Sequence, residues 1–232
     1  MSHPVEGRGP GDGQLVIGVA GGSGSGKSLF AKALAAQLRA RTVALVSEDD
    51  YYRRLEGPNV DPRRFDFDAP SARDHTRLAA DLARLRQGLA IAAPVYSFRR
   101  HAPLKRTIPT PAAQVVIVEG LHVLHAREVR ELLDFSIFLE VDADIRFIRR
   151  LLRDTRERGR SVKSVTDQYL ATVKPAHERY VEPGKALADL VLRYSTATGD
   201  GDDEILARWL DQALAALQPS GRLPLMATRA EE

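Results

Sequence analysis

Short apolar runs alternate with segments of helical periodicity along most of the chain. Runs rich in β-branched residues predict strands over 15–20, 42–47, 89–96, 114–120, 135–141 and 188–194. Apolar residues spaced three and four apart predict helices from Ser28, over about 71–87, 127–133 and 142–159, from about 161 or 164 onward, and over 202–217. Strands separated by helices favour parallel pairing through right-handed crossovers. This order predicts an α/β fold with a mostly parallel central sheet.

Cap and turn signals refine these elements. Ser71, followed three residues later by Asp74, predicts a capping box at the start of the second helix. The run 114–120 is the most continuous β-branched segment, which predicts a central strand buried on both faces. Residues 53–70 hold glycine, prolines and charges without a period and predict a long ordered loop. Asp142 predicts the cap of a helix that carries many arginines.

Composition narrows the class of protein. The chain has 232 residues, of which 44% are hydrophobic and 28% charged, as in ordinary globular proteins. It has no cysteine, and no run reaches the roughly 20 apolar residues of a membrane span. We therefore expect a cytoplasmic protein with no membrane partner. One domain is expected over 15–217, between a flexible lead (1–14) and a flexible tail (218–232).

The first strand runs into a complete phosphate-binding motif. The pattern G-x-x-x-x-G-K-[ST] is matched by Gly21, Gly22, Ser23, Gly24, Ser25, Gly26, Lys27 and Ser28. The glycines permit a tight turn whose amides point at phosphate oxygens, and the following helix adds its positive N-terminus. Lys27 reaches the outer phosphates, and the Ser28 hydroxyl can ligate magnesium. The motif predicts a P-loop NTPase-type three-layer fold that binds ATP or GTP with Mg²⁺.

Carboxylates follow two predicted strands at the rim that carries the phosphate loop. Asp49 and Asp50 come after the strand at 42–47, where an acid can accept the proton of an attacking hydroxyl. Glu119 ends the strand at 114–120, where a carboxylate can hold magnesium directly or through water. The alternatives are solvated loop carboxylates or a helix cap for the aspartates, and a hydrogen-bonded strand end for Glu119.

One dense cluster of arginines lies in the second half of the chain. Its members are Arg146, Arg149, Arg150, Arg153, Arg156, Arg158 and Arg160. Guanidinium groups bind phosphate oxygens and spread transition-state charge, which predicts a helical, arginine-rich lid segment (residues 146–180). For Arg146, Arg149 and Arg156, surface or salt-bridge positions are the simpler interpretation. Nucleic-acid binding is less favoured, because no aromatic residues are interleaved with the arginines and the net charge is only +3.

Several segments together resemble the uridine/cytidine kinase branch of the uridine kinase and phosphoribulokinase family. The resemblance runs from about residue 15 to 192 through GVAGGSGSGKS, VSEDDYYR, FDFDAP, PVYSFRRH, VVIVEGLHVL, RRLLRDTRERGRS and DQYLATVKPAHERYVEPGKALADLVL. The lid pattern RD-x-x-x-RGR and the PVYSF segment are its most specific parts. The resemblance implies transfer of the γ-phosphoryl of ATP or GTP to the 5′-hydroxyl of uridine or cytidine, by a homo-oligomer that is usually a tetramer.

The resemblance also implies roles for individual residues. Asp49 corresponds to the catalytic base, which also lies near magnesium. The implied substrate-binding residues are Asp68 on the ribose hydroxyls, Tyr96 and His101 on the pyrimidine, and Arg150 and Gln168 as further nucleoside contacts. The implied catalytic lid groups on the phosphates are Arg153, Arg158 and Arg160.

Two other functions stay open on the sequence. A kinase of the same fold could act on another small alcohol, such as a sugar phosphate or a nicotinamide-type nucleoside. A nucleic-acid-stimulated ATPase could use the arginines on a macromolecule, although Asp68, Tyr96 and His101 form a small-molecule set that it has no need for. We expect small-molecule substrates and no nucleic-acid partner.

Overall fold

The structure, a computed structural model, describes residues 14–38, 41–55, 65–98, 100–195, 199 and 201–218. Apart from Gln14 and Gln218, the predicted flexible lead and tail lie outside the described residues. The strands are β1 (Leu15–Gly21), β2 (Val43–Ser47), β3 (Ile91–Ala93), β4 (Tyr96–Ser97), β5 (Ala102–Pro103), β6 (Ile108–Thr110), β7 (Val115–Gly120), β8 (Phe135–Glu140) and β9 (Leu190–Arg193). The helices are α1 (Lys27–Gln37), α2 (His75–Arg86), α3 (Arg127–Arg130), α4 (Ala143–Arg156), α5 (Val162–Gln168), α6 (Lys174–Ala176) and α7 (Asp202–Leu217).

The central sheet has five parallel strands in the order β2-β7-β1-β8-β9. Strand β1 lies in the middle and is buried along its whole length. Strand β7 is buried throughout with a neighbour on each side, as its β-branched run predicts. Because all strands run the same way, their carboxyl ends meet at one rim, where the phosphate loop and the residues after β2 and β7 lie. The predicted α/β fold with a parallel sheet is confirmed.

Helices cover both faces of the sheet and give three layers. Alternate residues of β1 point to opposite faces, so Ile17 packs with α1 and α7 while Val16 packs with α2 and α3. Phe30 and Trp209 meet edge to face on the first side, at 6.3 Å between ring centroids. Within the described ranges, no helix is both long enough and apolar enough to cross a membrane.

Four predicted boundaries are wrong. The helix α2 begins at His75, because the Asp74 side chain accepts a hydrogen bond from the Arg77 amide at 3.1 Å, while Pro70–Ala72 forms a separate 3-10 turn. Asp74 rather than Ser71 is therefore the cap. The predicted strand at 89–96 is split into β3 and β4, which pair antiparallel with β6 and β5 outside the main sheet. The helix at 127–133 is only α3, and α4 ends at Arg156 rather than near Gly159.

The chain from α5 to β9 stays helical but changes its winding. Ser161 caps α5 by accepting from the Ser164 amide at 3.2 Å. Two π-helical turns, Tyr169–Val173 and His177–Val181, flank α6, and a 3-10 turn over Glu182–Leu187 leads to β9. Wider π turns inside helices re-aim side chains and occur at functional sites. Here they face the phosphate loop and Asp68.

Candidate active site

The phosphate loop joins β1 to α1 in a conformation that only glycines take readily. Gly24 and Gly26 have φ angles of 83° and 89°, in the left-handed region. A Cβ atom at Gly24 would lie 2.3 Å from the backbone oxygen of Arg146. No side chain caps α1, which begins at Lys27, so its first amide groups are available to an anion. The loop therefore has the geometry of a phosphate site.

Oxygen ligands suited to a hard cation lie next to this loop. The hydroxyls of Ser28 and Ser47 both donate to Glu119 Oε1, at 3.0 and 2.9 Å. Burial raises the pKa of Glu119, and the positive charge of Lys27 opposes that shift. A cation would stabilise the ionised form of such a buried carboxylate. Carboxylate and hydroxyl oxygens are ligands that Mg²⁺ accepts, so Ser28 and Glu119 fit a magnesium site.

The two aspartates after β2 have different surroundings. Asp49 Oδ1 accepts from Arg73 Nη2 at 2.9 Å, and its side chain is 44% exposed. Asp50 accepts from the backbone amide of Tyr96 at 3.4 Å, and burial raises its pKa. Asp49 also acts electrostatically on Glu119, which places its charge near the candidate metal ligands. Asp49 therefore presents a partly exposed carboxylate beside the phosphate loop, and we call the space next to it the cleft.

Asp68 lies buried at the other side of this cleft. Its carboxylate is 3.9 Å from Arg150 Nη1 and accepts from Thr172 Oγ1 at 3.5 Å. Burial raises the pKa of Asp68, and the charge of Arg150 opposes that shift. A carboxylate with this little protein hydrogen bonding can accept two hydroxyl protons from a vicinal diol.

An aromatic cluster lines the same region. Tyr96 packs on Tyr52 at 5.0 Å between ring centroids, Tyr52 meets Phe67 at 5.8 Å, and Phe67 meets His101 at 5.2 Å. Tyr96 and His101 are thus linked through two other rings. The buried Tyr96 hydroxyl has no hydrogen-bond partner in the described part of the chain. His101 adopts a positive φ of 47°, which is uncommon outside glycine and marks a constrained position.

Arg150 connects the phosphate loop to Asp68. Its Nη1 donates to Ser23 Oγ at 2.8 Å, and its Nη2 donates to Gln168 Oε1 at 3.0 Å. Ser23 and Asp68 line one small pocket together with Val173 and His177, which belong to the two π-helical turns. The structure thus brings together residues predicted for the triphosphate and for the acceptor.

The lid arginines converge on one buried carboxylate that sequence reasoning missed. Asp154 is fully buried and lies within 4 Å of four guanidinium groups, which we call the Asp154 cluster. The partners are Arg150 (3.7 Å), Arg153 (2.8 Å), Arg158 (3.4 Å) and Arg160 (3.5 Å). Arg160 Nη1 also donates to Gln168 Oε1 at 2.5 Å. Burial and the neighbouring Arg153 lower the pKa of Arg158.

The other arginines of this stretch separate into two kinds. Arg149 pairs with Asp202 at 2.6 Å, and Arg156 is exposed, as the surface interpretation expects. For Arg146 that interpretation is wrong. Arg146 is buried, donates from Nε to the Val141 carbonyl at 2.9 Å and packs against the phosphate loop.

A second buried cluster lies directly behind Asp49. It consists of Glu48, Arg73, His75 and His122, and we call it the Arg73 cluster. Burial raises the pKa of Glu48, but the charge of Arg73 and the hydrogen bond with His75 outweigh it, and the net shift is downward. No motif in the sequence singles these residues out, because they come from three separated segments.

Comparison with known proteins decides the family. A family model described as "Phosphoribulokinase / Uridine kinase family" matches residues 16–198. The chain belongs to this family. Among curated members, a uridine kinase from Lactobacillus johnsonii is 42% identical over 180 residues, which cover 77% of this chain and 85% of that protein. A uridine kinase from Clostridium novyi is 38% identical over 179 residues, which cover 77% and 86%.

A solved member of the phosphoribulokinase/uridine kinase family agrees on the fold. The phosphoribulokinase from Rhodobacter spheroides superposes with a TM-score of 0.58 at 14% identity, over 79% of this chain and 72% of that one. The predicted P-loop kinase architecture is therefore confirmed, and so is the family resemblance.

Proposed function

We propose that this protein is a nucleoside kinase that transfers the γ-phosphoryl group of ATP to the 5′-hydroxyl of uridine or cytidine. Curated uridine kinases of about 40% identity over most of the chain support this activity. The observation that carries it is the position of Arg150, whose Nη1 donates to Ser23 Oγ in the phosphate loop at 2.8 Å and lies 3.9 Å from Asp68 Oδ1. Donor and acceptor sites are contiguous there.

The residues divide the work of phosphoryl transfer. The loop from Gly21 to Ser28 binds the phosphates, with Lys27 on the outer ones. Asp68 holds the ribose hydroxyls, Tyr96 and His101 hold the base, and Gln168 and Arg150 complete the acceptor site. These contacts orient the 5′-hydroxyl toward the terminal phosphorus, which supplies a large part of the rate enhancement.

Asp49 accepts the proton of the 5′-hydroxyl as the reaction proceeds. The 5′-oxygen forms a bond to the γ-phosphorus, and the bond from that phosphorus to the β,γ-bridging oxygen breaks. ADP leaves with the electron pair of the broken bond. Arg153, Arg158 and Arg160 stabilise the charge on the transferred group, and closure around it excludes water.

Magnesium is part of this proposal. Ser28 and Glu119, with Asp49 nearby, are the residues that would hold the ion. Bound with the triphosphate, Mg²⁺ supplies positive charge that neutralises phosphate oxygens. A cytoplasmic location and a homo-oligomeric, tetrameric assembly belong to the proposal as well, and light scattering on the purified chain tests the assembly.

A substrate panel tests the activity. ADP release is measured with uridine, cytidine, other nucleosides, a sugar phosphate and no acceptor, and the phosphorylated product is identified. We expect release to depend on uridine or cytidine and to yield the 5′-monophosphate, with a Lys27→Met variant as the inactive control. Release that needs no acceptor and increases with RNA or DNA would contradict the proposal, as would release with the sugar phosphate alone.

A further inference from the structure

Arg73 has a fully buried guanidinium group that contacts Asp49, the candidate base. The residue is 1% exposed. Its Nη2 donates to Asp49 Oδ1 at 2.9 Å and to the Tyr52 hydroxyl at 2.5 Å, while its Nη1 donates to the Phe67 carbonyl at 3.0 Å. The guanidinium also lies over the Tyr52 ring, 4.1 Å from its centroid. Because these contacts lie on several sides of the guanidinium, the Arg73 side chain is held in one orientation.

Glu48 compensates the buried charge of Arg73. Its Oε2 lies 3.5 Å from Arg73 Nε, and its Oε1 lies 2.8 Å from His75 Nε2. The His122 amide donates to both Glu48 oxygens, at 3.2 and 3.1 Å. A Cβ at Gly120 would lie 2.3 Å from Glu48 Oε2, so the chain leaves room for this carboxylate. A buried ion pair is costly unless its geometry is fixed in this way, and it is weak evidence for a purely stabilising role.

Glu48, His75 and His122 also present ligand-type atoms within 4.8 Å of one another. A metal ion among them would face the permanent charge of Arg73, whose Nη1 is 3.4 Å from His122 Nδ1. The arrangement therefore accommodates the guanidinium rather than a second cation.

We propose that Arg73 is a positioning residue for phosphoryl transfer, which holds the Asp49 carboxylate by its Oδ1 atom and keeps it aimed into the cleft. The proposal rests on the proposed role of Asp49 as base. Arg73 touches neither substrate, and Asp49 remains 44% exposed on its other side, where the acceptor hydroxyl approaches. Without Arg73, this short and partly exposed side chain would sample several rotamers.

A double-mutant cycle tests the proposal. We expect Arg73→Met to lower kcat about 10²-fold, as a misplacement of about 1 Å does, and to change the KM values for ATP and nucleoside much less. In an Asp49→Asn background, Arg73→Met is expected to lower kcat by less than about threefold more, because the group it positions is already lost. Arg73→Lys, which keeps the charge but not the fork, should fall between wild type and Arg73→Met.

Two further variants separate positioning from folding. Glu48→Gln with Arg73→Met removes both charges of the buried pair, so we expect it to recover the melting temperature lost in Arg73→Met but not kcat. Arg86→Met is the matched control, since Arg86 makes a 2.6 Å ion pair with Asp134 away from the site, and its kcat should stay at the wild-type value. If Arg73→Met does not fold, the charge-free double variant and Arg73→Lys carry the test.

Several results would overturn the proposal. They are full additivity of Arg73→Met with Asp49→Asn, wild-type kcat in the charge-free double variant, and a loss confined to KM. Failure of the proposed base is distinguishable, because Asp49→Asn alone would then keep its turnover. If Asp49→Asn is inactive while Arg73→Met is not, only the positioning role is wrong.

Discussion

The two charged clusters beside the cleft have opposite arrangements of charge. In the Arg73 cluster one guanidinium lies between Glu48 and Asp49, and Arg73 and Glu48 are both sealed from solvent. In the Asp154 cluster one carboxylate is shared by four guanidinium groups, three of which are partly exposed. Within the Arg73 cluster Glu48 balances the charge of Arg73, whereas the Asp154 cluster has a strong excess of positive charge.

This difference matches the roles that we propose for the residues of each cluster and its surroundings. A balanced and sealed cluster holds its members in one arrangement, which suits a base that must stay aimed. In a cluster with excess positive charge, the carboxylate keeps the arginines close together without neutralising all of them. A triphosphate can neutralise their charge more completely than one carboxylate does. Guanidinium and carboxylate groups thus fix the geometry in the Arg73 cluster, whereas in the Asp154 cluster they provide positive charge for an anion.

The largest effect is expected from Asp49→Asn, which removes the base that the Arg73 cluster supports. We expect kcat to fall by about 10²- to 10⁴-fold while the KM for ATP stays within a few fold, because a general base acts only as the proton moves. Steady-state kinetics with uridine or cytidine and ATP measure this. Full turnover in the variant would remove the assignment.

Next in size is Asp68→Ala, which tests the acceptor side against the donor side. Loss of the carboxylate should raise the KM for the nucleoside by about 10- to 100-fold, as expected for hydrogen bonds to a charged group. ATP binding, measured by calorimetry without nucleoside, should be unchanged. Equal weakening of both ligands in a folded variant would contradict the ribose role.

Asp154→Asn tests the positive cluster. Without its carboxylate the four guanidinium groups repel one another, and we expect a loss of about 1–3 kcal/mol in the free energy of unfolding, less than for a sealed pair because three partners are partly exposed. ATP should then raise the melting temperature more in the variant than in wild type, since its phosphates replace the missing charge. Thermal unfolding with and without ATP measures both quantities. An ATP-induced shift no larger than in wild type would show that the cluster does not recruit phosphate.

The effect that is smallest at neutral pH is the acid sensitivity of the Arg73 cluster. Burial lowers the pKa of His122 to about 3, and Glu48 opposes that shift. A histidine in the unfolded chain has a pKa of about 6.5. Between that pH and about pH 3, the unfolded chain therefore binds a proton at this position that the folded chain does not bind. Stability must fall as the pH falls through this range, by at most about 1.4 kcal/mol per pH unit for one histidine.

Urea unfolding at a series of pH values, in wild type and in His122→Asn, measures this contribution. The variant should show a shallower decline between pH 6.5 and pH 4. His125→Asn is the comparison variant: this neighbouring histidine is more exposed, burial also lowers its pKa, and the change of slope should be smaller than in His122→Asn. An unchanged slope in His122→Asn would mean that the Arg73 cluster does not depend on a neutral His122.

Local patterns predicted the parts of the molecule that depend on one segment at a time. The phosphate loop, the parallel strands and the helix faces all follow from contiguous residues, and they are where the sequence placed them. The split of the strand at 89–96 was missed because a two-residue strand has no periodicity to detect. The cap at Asp74 was missed because Ser71 offered an equally good local signal.

The clusters could not be predicted in the same way. Arg73 follows a 3-10 turn and meets Glu48 and Asp49 only because α2 packs against β7 and against the 3-10 turn Glu48–Tyr51. Asp154 stands inside a motif that was recognised, yet its neighbours drew attention because they carry the charge suited to phosphate. Buried compensating charges leave no periodic trace, so only the packed chain identifies them.

The contact between Gly24 and the carbonyl of Arg146 has a mechanical consequence. Since a methyl group at Gly24 would overlap that oxygen, the backbone of the loop contacts the first turn of α4 directly, with no side chain between them. Arg150 and Arg153 lie about one and two turns further along α4. The phosphate loop and these two side chains therefore share one helix as their common support.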